Sequence, residues 1–506
     1  MLSQQGAPLV AALQQCSERP NAAFYTPGHK RGQGISNVHR LVLGSEIFRV
    51  DLPELPELDN LFAPVAVIAQ AQALAAEAFG AEHTYFLANG STCGIEAAIL
   101  ATCGPGNKLI LPRNVHRSAI SGLILSGAMP VFVSPLYDDD WQLAIGVTPK
   151  AIAAALTEHP DAKAVLIVSP TYQGICADVA EIAAITHRYG IPLIVDEAHG
   201  PHFAFHPDLP TPALHSGADV VIQSTHKVLS ALTQAAMIHV QGGRCDRNRL
   251  QQALHMVQST SPSYLLLASL DAARHQMANQ GSALMAKTLT LAELAMQRLS
   301  QGASLRPLSQ TDLPDGFRLD RTRLTLDCSP LGMTGFDADD LLNERFSVTA
   351  ELPTLNLLTF IISLGNTIDD IERLVDAVKA LVQNPFDPLQ TNPKAHPLST
   401  THYPLPTTHY PPLSPRQAFF APSEACPLVE SPGQISAEAI CAYPPGIPTL
   451  MPGEVITADA IAQLQMLQQA GANFTGNSDV SLKTLRVVEH HLTASPLHRL
   501  TPSPPH

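Results

Sequence analysis

Between residues 83 and 240 the chain alternates short apolar runs with stretches of helical period. HTYFLA, KLILP, MPVFVS, KAVLIVSP, IPLIVDE, ADVVIQS and AAMIHV each have the length of a strand. Segments between them, such as STCGIEAAILATCG and ADVAEIAAITHRYG, repeat apolar residues at helical spacing. The alternation predicts an α/β fold whose largely parallel sheet is covered by helices on both faces. Ligands of such sheets bind beyond the carboxyl ends of the strands, so the loops there carry the most weight.

Further along, a helical stretch near 281–300 precedes strand-like runs (SLRPLS, RLTLDC, TFIISL) and amphipathic helices at 337–345 and 368–382, a smaller α+β domain. Residues 385–415 hold nine prolines in 31 residues. Proline fixes φ and removes a donor, which predicts an extended linker. Strand and helix patterns return at 416–495, and TPSPPH at the end reads as disordered. The expected division is an N-terminal segment 1–55, a major domain 56–285, a small α+β domain 286–384, the linker 385–415 and a C-terminal α+β domain 416–506 with its tail.

With 506 residues the chain can bury a substantial core. A net charge of −14 with only 30 Lys and Arg offers no overall basic field, so nucleic acid is not an expected partner. The longest apolar runs, such as LNLLTFIISL, fall short of the roughly 20 residues a membrane span needs. Eight scattered cysteines without a Cys-x-x-Cys pair, and an N-terminus without a secretory pattern, point to a reduced, cytoplasmic chain.

The stretch PLIVDEAHGPHF (192–203) holds Asp196-Glu197-Ala198-His199, the spelling of a helicase box. A triphosphatase also needs a G-x-x-x-x-G-K-[ST] loop, and the chain contains no Gly-Lys dipeptide. His199, His202 and His206 raise zinc, but they follow a strand into a Gly-Pro loop, where helical face geometry does not apply; no metal is expected. The third reading joins Asp196 to Lys227, 31 residues on, in Ser224-Thr225-His226-Lys227 after the next strand. A lysine there can form a Schiff base with pyridoxal 5'-phosphate, and a buried carboxylate keeps the pyridine nitrogen protonated. ANGSTC (88–93) lies between a strand and a helix, so Gly90, Ser91 and Thr92 can present amides and hydroxyls to a phosphate. In PRNVHRS (112–118), His116 can stack on a conjugated ring, opposite the small Ala198.

YTPGHKRG (25–32), LANGSTCG (87–94), RNVHRS (113–118), SPTYQGI (169–175), VDEAHGPHF (195–203) and QSTHKVLSALTQ (223–234) resemble the major domain of the bacterial-type ornithine/lysine/arginine decarboxylases. CAYPPGIPTLMPGE (441–454) is similar to that family's C-terminal domain. The resemblance implies a fold-type-I pyridoxal phosphate enzyme that decarboxylates a basic amino acid and works as a homodimer or higher homo-oligomer. It implies Lys227 as the Schiff-base lysine, Asp196 as the pyridinium partner and His116 as the stacking ring. Ser91, Thr92, Ser224 and His226 match phosphate-side positions, and His199 belongs to the same cofactor set. PGHK comes at residue 27, so the N-terminal wing of the large family members is not expected.

A basic side chain calls for an acid at the far end of the pocket. Glu351 and Glu454 are the candidates, with Asp51 and Glu57 as further ones. His226 or the freed Lys227 can return a proton to Cα. Another fold-type-I activity such as an aminotransferase would share Lys227 and Asp196, and a catalytically silent regulatory homologue is the third alternative.

Overall fold

The computed structural model describes residues 2–301, 305–383, 411–443 and 446–489. All seven apolar runs form strands of one sheet: β1 (His83–Leu87), β2 (Lys108–Pro112), β3 (Met129–Val133), β4 (Ala164–Val168), β5 (Leu193–Asp196), β6 (Val220–Gln223) and β7 (Ala236–Val240). Their spatial order is β1-β7-β6-β5-β4-β2-β3. Strands β3, β2, β4, β5 and β6 pair in parallel, whereas β7 runs antiparallel to both β6 and β1.

The two-residue period of a strand explains why these runs are apolar throughout. In β4, Val165 and Ile167 enter one core while Ala164 and Leu166 enter the core on the opposite face. Val195 and Ile194 of β5 divide in the same way, as do Val221 and Ile222 of β6. Near its N-terminus the chain contributes the helix Pro8–Glu18, which buries Leu9, Leu13 and Cys16 in the first of these cores.

A helix of 37 residues, Tyr264–Ser300, leads out of the major domain. It begins well before the expected 281–300. Its side chains up to Leu289 pack in the major-domain core, and from Leu291 onward they pack in that of the small domain. That domain holds the strands Arg323–Asp327, Leu357–Ile361 and Leu352–Pro353, covered by the helices Gly335–Phe346 and Ile368–Gln383. SLRPLS contributes only an isolated bridge, Pro307 to Leu326, because proline cannot donate to a ladder.

Most of the proline-rich stretch and the TPSPPH tail lie outside the described residues. The described end of that stretch is packed: Pro411 is buried, and Ser414 caps the helix Pro415–Phe420. In the C-terminal part, the strands Ile440–Tyr443, Ile447–Leu450 and Asn473–Thr475 form one sheet, with Ser423–Pro427 and Thr484–Val488 paired separately. Among the described residues no helix is long and apolar enough to cross a membrane.

Candidate active site

The sheet gathers the sequence-derived residues at one edge. Asp196 ends β5, Lys227 lies four residues past β6, His116 four past β2, and Gly90 three past β1. Because β7 is antiparallel, its entry end reaches the same edge, where Ala235 O accepts from His226 N at 3.2 Å. Ser91, His116, Asp196, Ala198, His199 and Lys227 line one cavity of about 300 Å³.

Lys227 Nζ lies 2.9 Å from His199 Nε2 and 5.4 Å from the ring centre of Tyr172. The His199 and Tyr172 rings are 4.4 Å apart and tilted. Burial lowers the Lys227 amine; Asp196 and Glu351 oppose that, and Arg323 adds to it. Asp196 is pushed up by burial against the pull of Lys227 and of the Ala198 amide, which donates to its Oδ1 at 3.2 Å. His199 falls well below the usual imidazole range, by burial first and then by Lys227 and Arg323. Each shift follows from placing ionisable groups where water does not reach them.

On the phosphate side, the helix Gly90–Thr102 starts at Gly90, whose φ of +75° suits glycine. Ser224 Oγ donates to Ser91 Oγ at 2.8 Å, joining the loops after β6 and β1. Thr92 is exposed. Thr225 Oγ1 and His199 Nδ1 are buried without a hydrogen-bond partner. Hydroxyls at a helix N-terminus and a buried carboxylate beside a part-buried amine are the groups a pyridoxal phosphate needs, and the orphaned Thr225 hydroxyl fits an anion acceptor there.

The remaining expected residues divide. His226 Nδ1 lies 2.9 Å from Ala235 O, so that nitrogen is the donor, and the ring stands outside the cavity lining. Glu351 is exposed beside Leu352, which does line the cavity, and its charge reaches Lys227. Glu454, expected to meet the substrate, is 1 % exposed and paired with Arg113: Nε donates to Oε1 and Nη2 to Oε2, both at 2.9 Å. That carboxylate fastens two parts of the chain and does not line the cavity. His29 Nε2 lies 3.1 Å from Asp51, and Glu57 pairs with Arg19, so neither further acid lines the cavity either. The three histidines raised for zinc diverge: His199 faces Lys227, His202 pairs with Asp320 at 3.1 Å, and His206 Nδ1 accepts from Asp208 N.

Sequence reasoning missed several residues. Tyr172 stood in the quoted SPTYQGI without a role. Arg323 is buried, and its Nη2 donates to His199 O at 2.8 Å. Ile447, Pro448, Thr449 and Met466 of the C-terminal part also line the cavity. No local pattern separates such apolar wall residues from core.

A sheet in this order, with a lysine, an aspartate and a glycine-started helix at its carboxyl edge, has the architecture of the fold-type-I pyridoxal phosphate enzymes. The solved structure of the Francisella novicida lysine decarboxylase LdcF shares this fold, with a TM-score of 0.82 and 23% identity over 96% of this chain and 81% of that one. The chain belongs to the Orn/Lys/Arg decarboxylase family: the family's major domain matches residues 7–319 and its C-terminal domain residues 402–480. It is 38% identical to the arginine decarboxylase of Bacillus subtilis (strain 168) over 96% of this chain and 99% of that protein. It is 37% identical to the arginine decarboxylase of Bacillus anthracis over 97% and 99%.

Proposed function

We propose that the chain decarboxylates a basic amino acid, arginine, lysine or ornithine, to carbon dioxide and agmatine, cadaverine or putrescine, using pyridoxal 5'-phosphate held on Lys227. Two relatives that are similar over nearly their whole length are arginine decarboxylases, which supports arginine as the substrate to test first. The observation that carries the reading is the part-buried Lys227 amine, 2.9 Å from His199, in one cavity with Asp196 at the sheet's carboxyl edge.

The bound coenzyme supplies an electron sink for the pair left when the carboxylate departs. Asp196 would keep the pyridine nitrogen protonated. His116 and Ala198 would confine the coenzyme ring, and Gly90, Ser91, Thr92, Ser224 and Thr225 would hold its phosphate. Burial keeps a share of the Lys227 amine neutral, as a nucleophile must be. Lys227 also returns the proton to Cα, since it opens on the cavity while His226 Nδ1 is tied to Ala235. Glu351 supplies negative charge for the cationic end of the substrate. The chain works as a homodimer: the helix Asn37–Leu43 buries none of its residues and exposes Val38, Leu41 and Val42, a surface suited to a second copy. Eight free cysteines, seven of them buried, suit a cytoplasmic, reducing compartment.

In Lys227→Ala protein mixed with pyridoxal phosphate, the visible absorbance of covalently held coenzyme is expected to vanish, with carbon dioxide release below about one-thousandth of wild type. An unaltered spectrum rejects the assignment.

A further inference from the structure

The motif CAYPPGIPTLMPGE begins within the strand Ile440–Tyr443 of the C-terminal sheet. Its described residues Gly446, Pro448, Thr449 and Glu454 close around one loop of the major domain, 113–117. Arg113 is 1 % exposed and donates to Glu454, to Pro448 O at 2.7 Å and to Thr449 O at 3.1 Å. Arg117 N donates to Gly446 O at 3.0 Å. Between these two anchors stands His116. Its Nδ1 lies 2.8 Å from Ser118 Oγ and accepts from Ser118 N at 3.2 Å, which leaves Nε2 on the side of Gly446. A Cβ on Gly446 would come within 3.3 Å of His116 Nε2 and 3.4 Å of Cδ2. The backbone of Gly446 therefore lies against the edge of the imidazole, at a φ of +83° that favours glycine.

We infer that the Gly446 turn is a positioning element for His116: the C-terminal part, anchored through Arg113–Glu454 and Arg117–Gly446, sets the angle at which the ring meets the coenzyme. This rests on the role proposed for His116. Glycine suits this position because a Cβ would press on the ring edge at 3.3 Å and the ring would have to give way by a few tenths of an ångström. The C-terminal part then acts on the reaction as well as on the fold, since a misplaced group costs rate even when the chemistry is untouched.

Two variants of the full chain test this. Gly446→Ala is expected to raise the dissociation constant of pyridoxal phosphate about tenfold and to lower kcat more than it raises KM. In a His116→Ala background, Gly446→Ala should leave the dissociation constant unchanged, because the group it acts through is gone. Glu454→Gln, which keeps shape and loses the charge pair, should speed modification of His116 by diethyl pyrocarbonate in the apoprotein several-fold, read by peptide mass spectrometry. Equal effects of Gly446→Ala with and without His116, or unchanged labelling in Glu454→Gln protein that keeps its melting temperature, would overturn the inference. If wild type binds no pyridoxal phosphate, the functional reading fails, while the labelling comparison still decides whether the C-terminal part restrains His116.

Discussion

His116 sits partly buried beside two cations, and burial first, then Lys227 and Arg117, lower its imidazole to about 4. A histidine meant to lie against a conjugated ring gains from this, because a charged imidazole would repel the protonated ring it covers. The unfolded chain binds a proton at that imidazole near pH 6.5, the folded chain only near 4. Its contribution to stability is therefore complete above about pH 6.5 and is lost as pH falls toward 4. In protein labelled with 15N at histidine, His116 is expected to stay neutral down to pH 5 and to titrate near 4. A midpoint near 6.5 would show that the ring is solvated. Glu197, next to Asp196, illustrates the opposite sign. Burial pushes its carboxyl up to about 8 despite hydrogen bonds from Gln223 Nε2 and Ala213 N, so Asp196 is not crowded by a second negative charge at neutral pH.

The helix Gly90–Thr102 must bring its N-terminus to the cavity while lying close on the sheet, and Gly94 is where that closeness is greatest. A Cβ there would meet Leu87 Cδ1 at 2.7 Å and Ile222 Cγ2 at 3.0 Å, both on fully buried side chains. Alanine would gain about 1 kcal/mol of helix propensity, but overpacking a filled core costs about 1–3 kcal/mol, and the neighbours have nowhere to move. Gly94→Ala is thus expected to lower stability to denaturant by roughly 1–2 kcal/mol and to weaken pyridoxal phosphate binding, because the helix start shifts with its body. Wild-type values for both would show that the helix tolerates the displacement. This helix and the seven strands were legible in the sequence because they are buried almost all round and read as short apolar runs of strand or helix length. Helix Tyr264–Ser300 was legible only in its second half, because Asp271 and Arg274 form an ion pair at 0 % exposure and put charge where the apolar stripe should run. Glu454 reads locally as a free acid; its partner Arg113 lies 341 residues away, a separation no spacing rule spans. The strand-end positions of Asp196 and Lys227 needed only local context to read, and both line the cavity at the sheet's carboxyl edge.

The cavity is closed by three parts of the chain, so its geometry depends on how the parts are tied. The C-terminal part is tied through Arg113, and the small domain is tied through a buried cluster under the loop that follows Asp196. There Asp320 Oδ2 lies 3.1 Å from His202 Nε2 and 4.0 Å from Arg323 Nη1, and Arg323 reaches on to His199 O. Gly174, at φ +86°, accepts Asp320 N at its carbonyl and leaves room for the Arg323 stem, which a Cβ would meet at 2.6 Å. Burial alone would raise the Asp320 carboxyl, but His202 and Arg323 outweigh it and hold the group at about 2. A carboxylate depressed in the folded state lends stability that is complete above the unfolded value of about 3.9 and disappears as pH falls through about 2. Asp320→Asn removes that charge and leaves Arg323 buried without it, an arrangement that typically costs about 3–5 kcal/mol. Two consequences are expected together in acid and urea titrations of the full chain. At pH 7 the variant unfolds at lower denaturant; between pH 4 and 2 its stability falls less steeply than wild type, by up to about 1.4 kcal/mol per pH unit. Parallel acid limbs for the two proteins would mean that the folded chain does not hold the Asp320 carboxyl below its unfolded value. A loss of stability without any change in the visible spectrum of bound coenzyme would place the cluster in the fold alone, whereas a shifted spectrum would trace the path from Arg323 through His199 to Lys227.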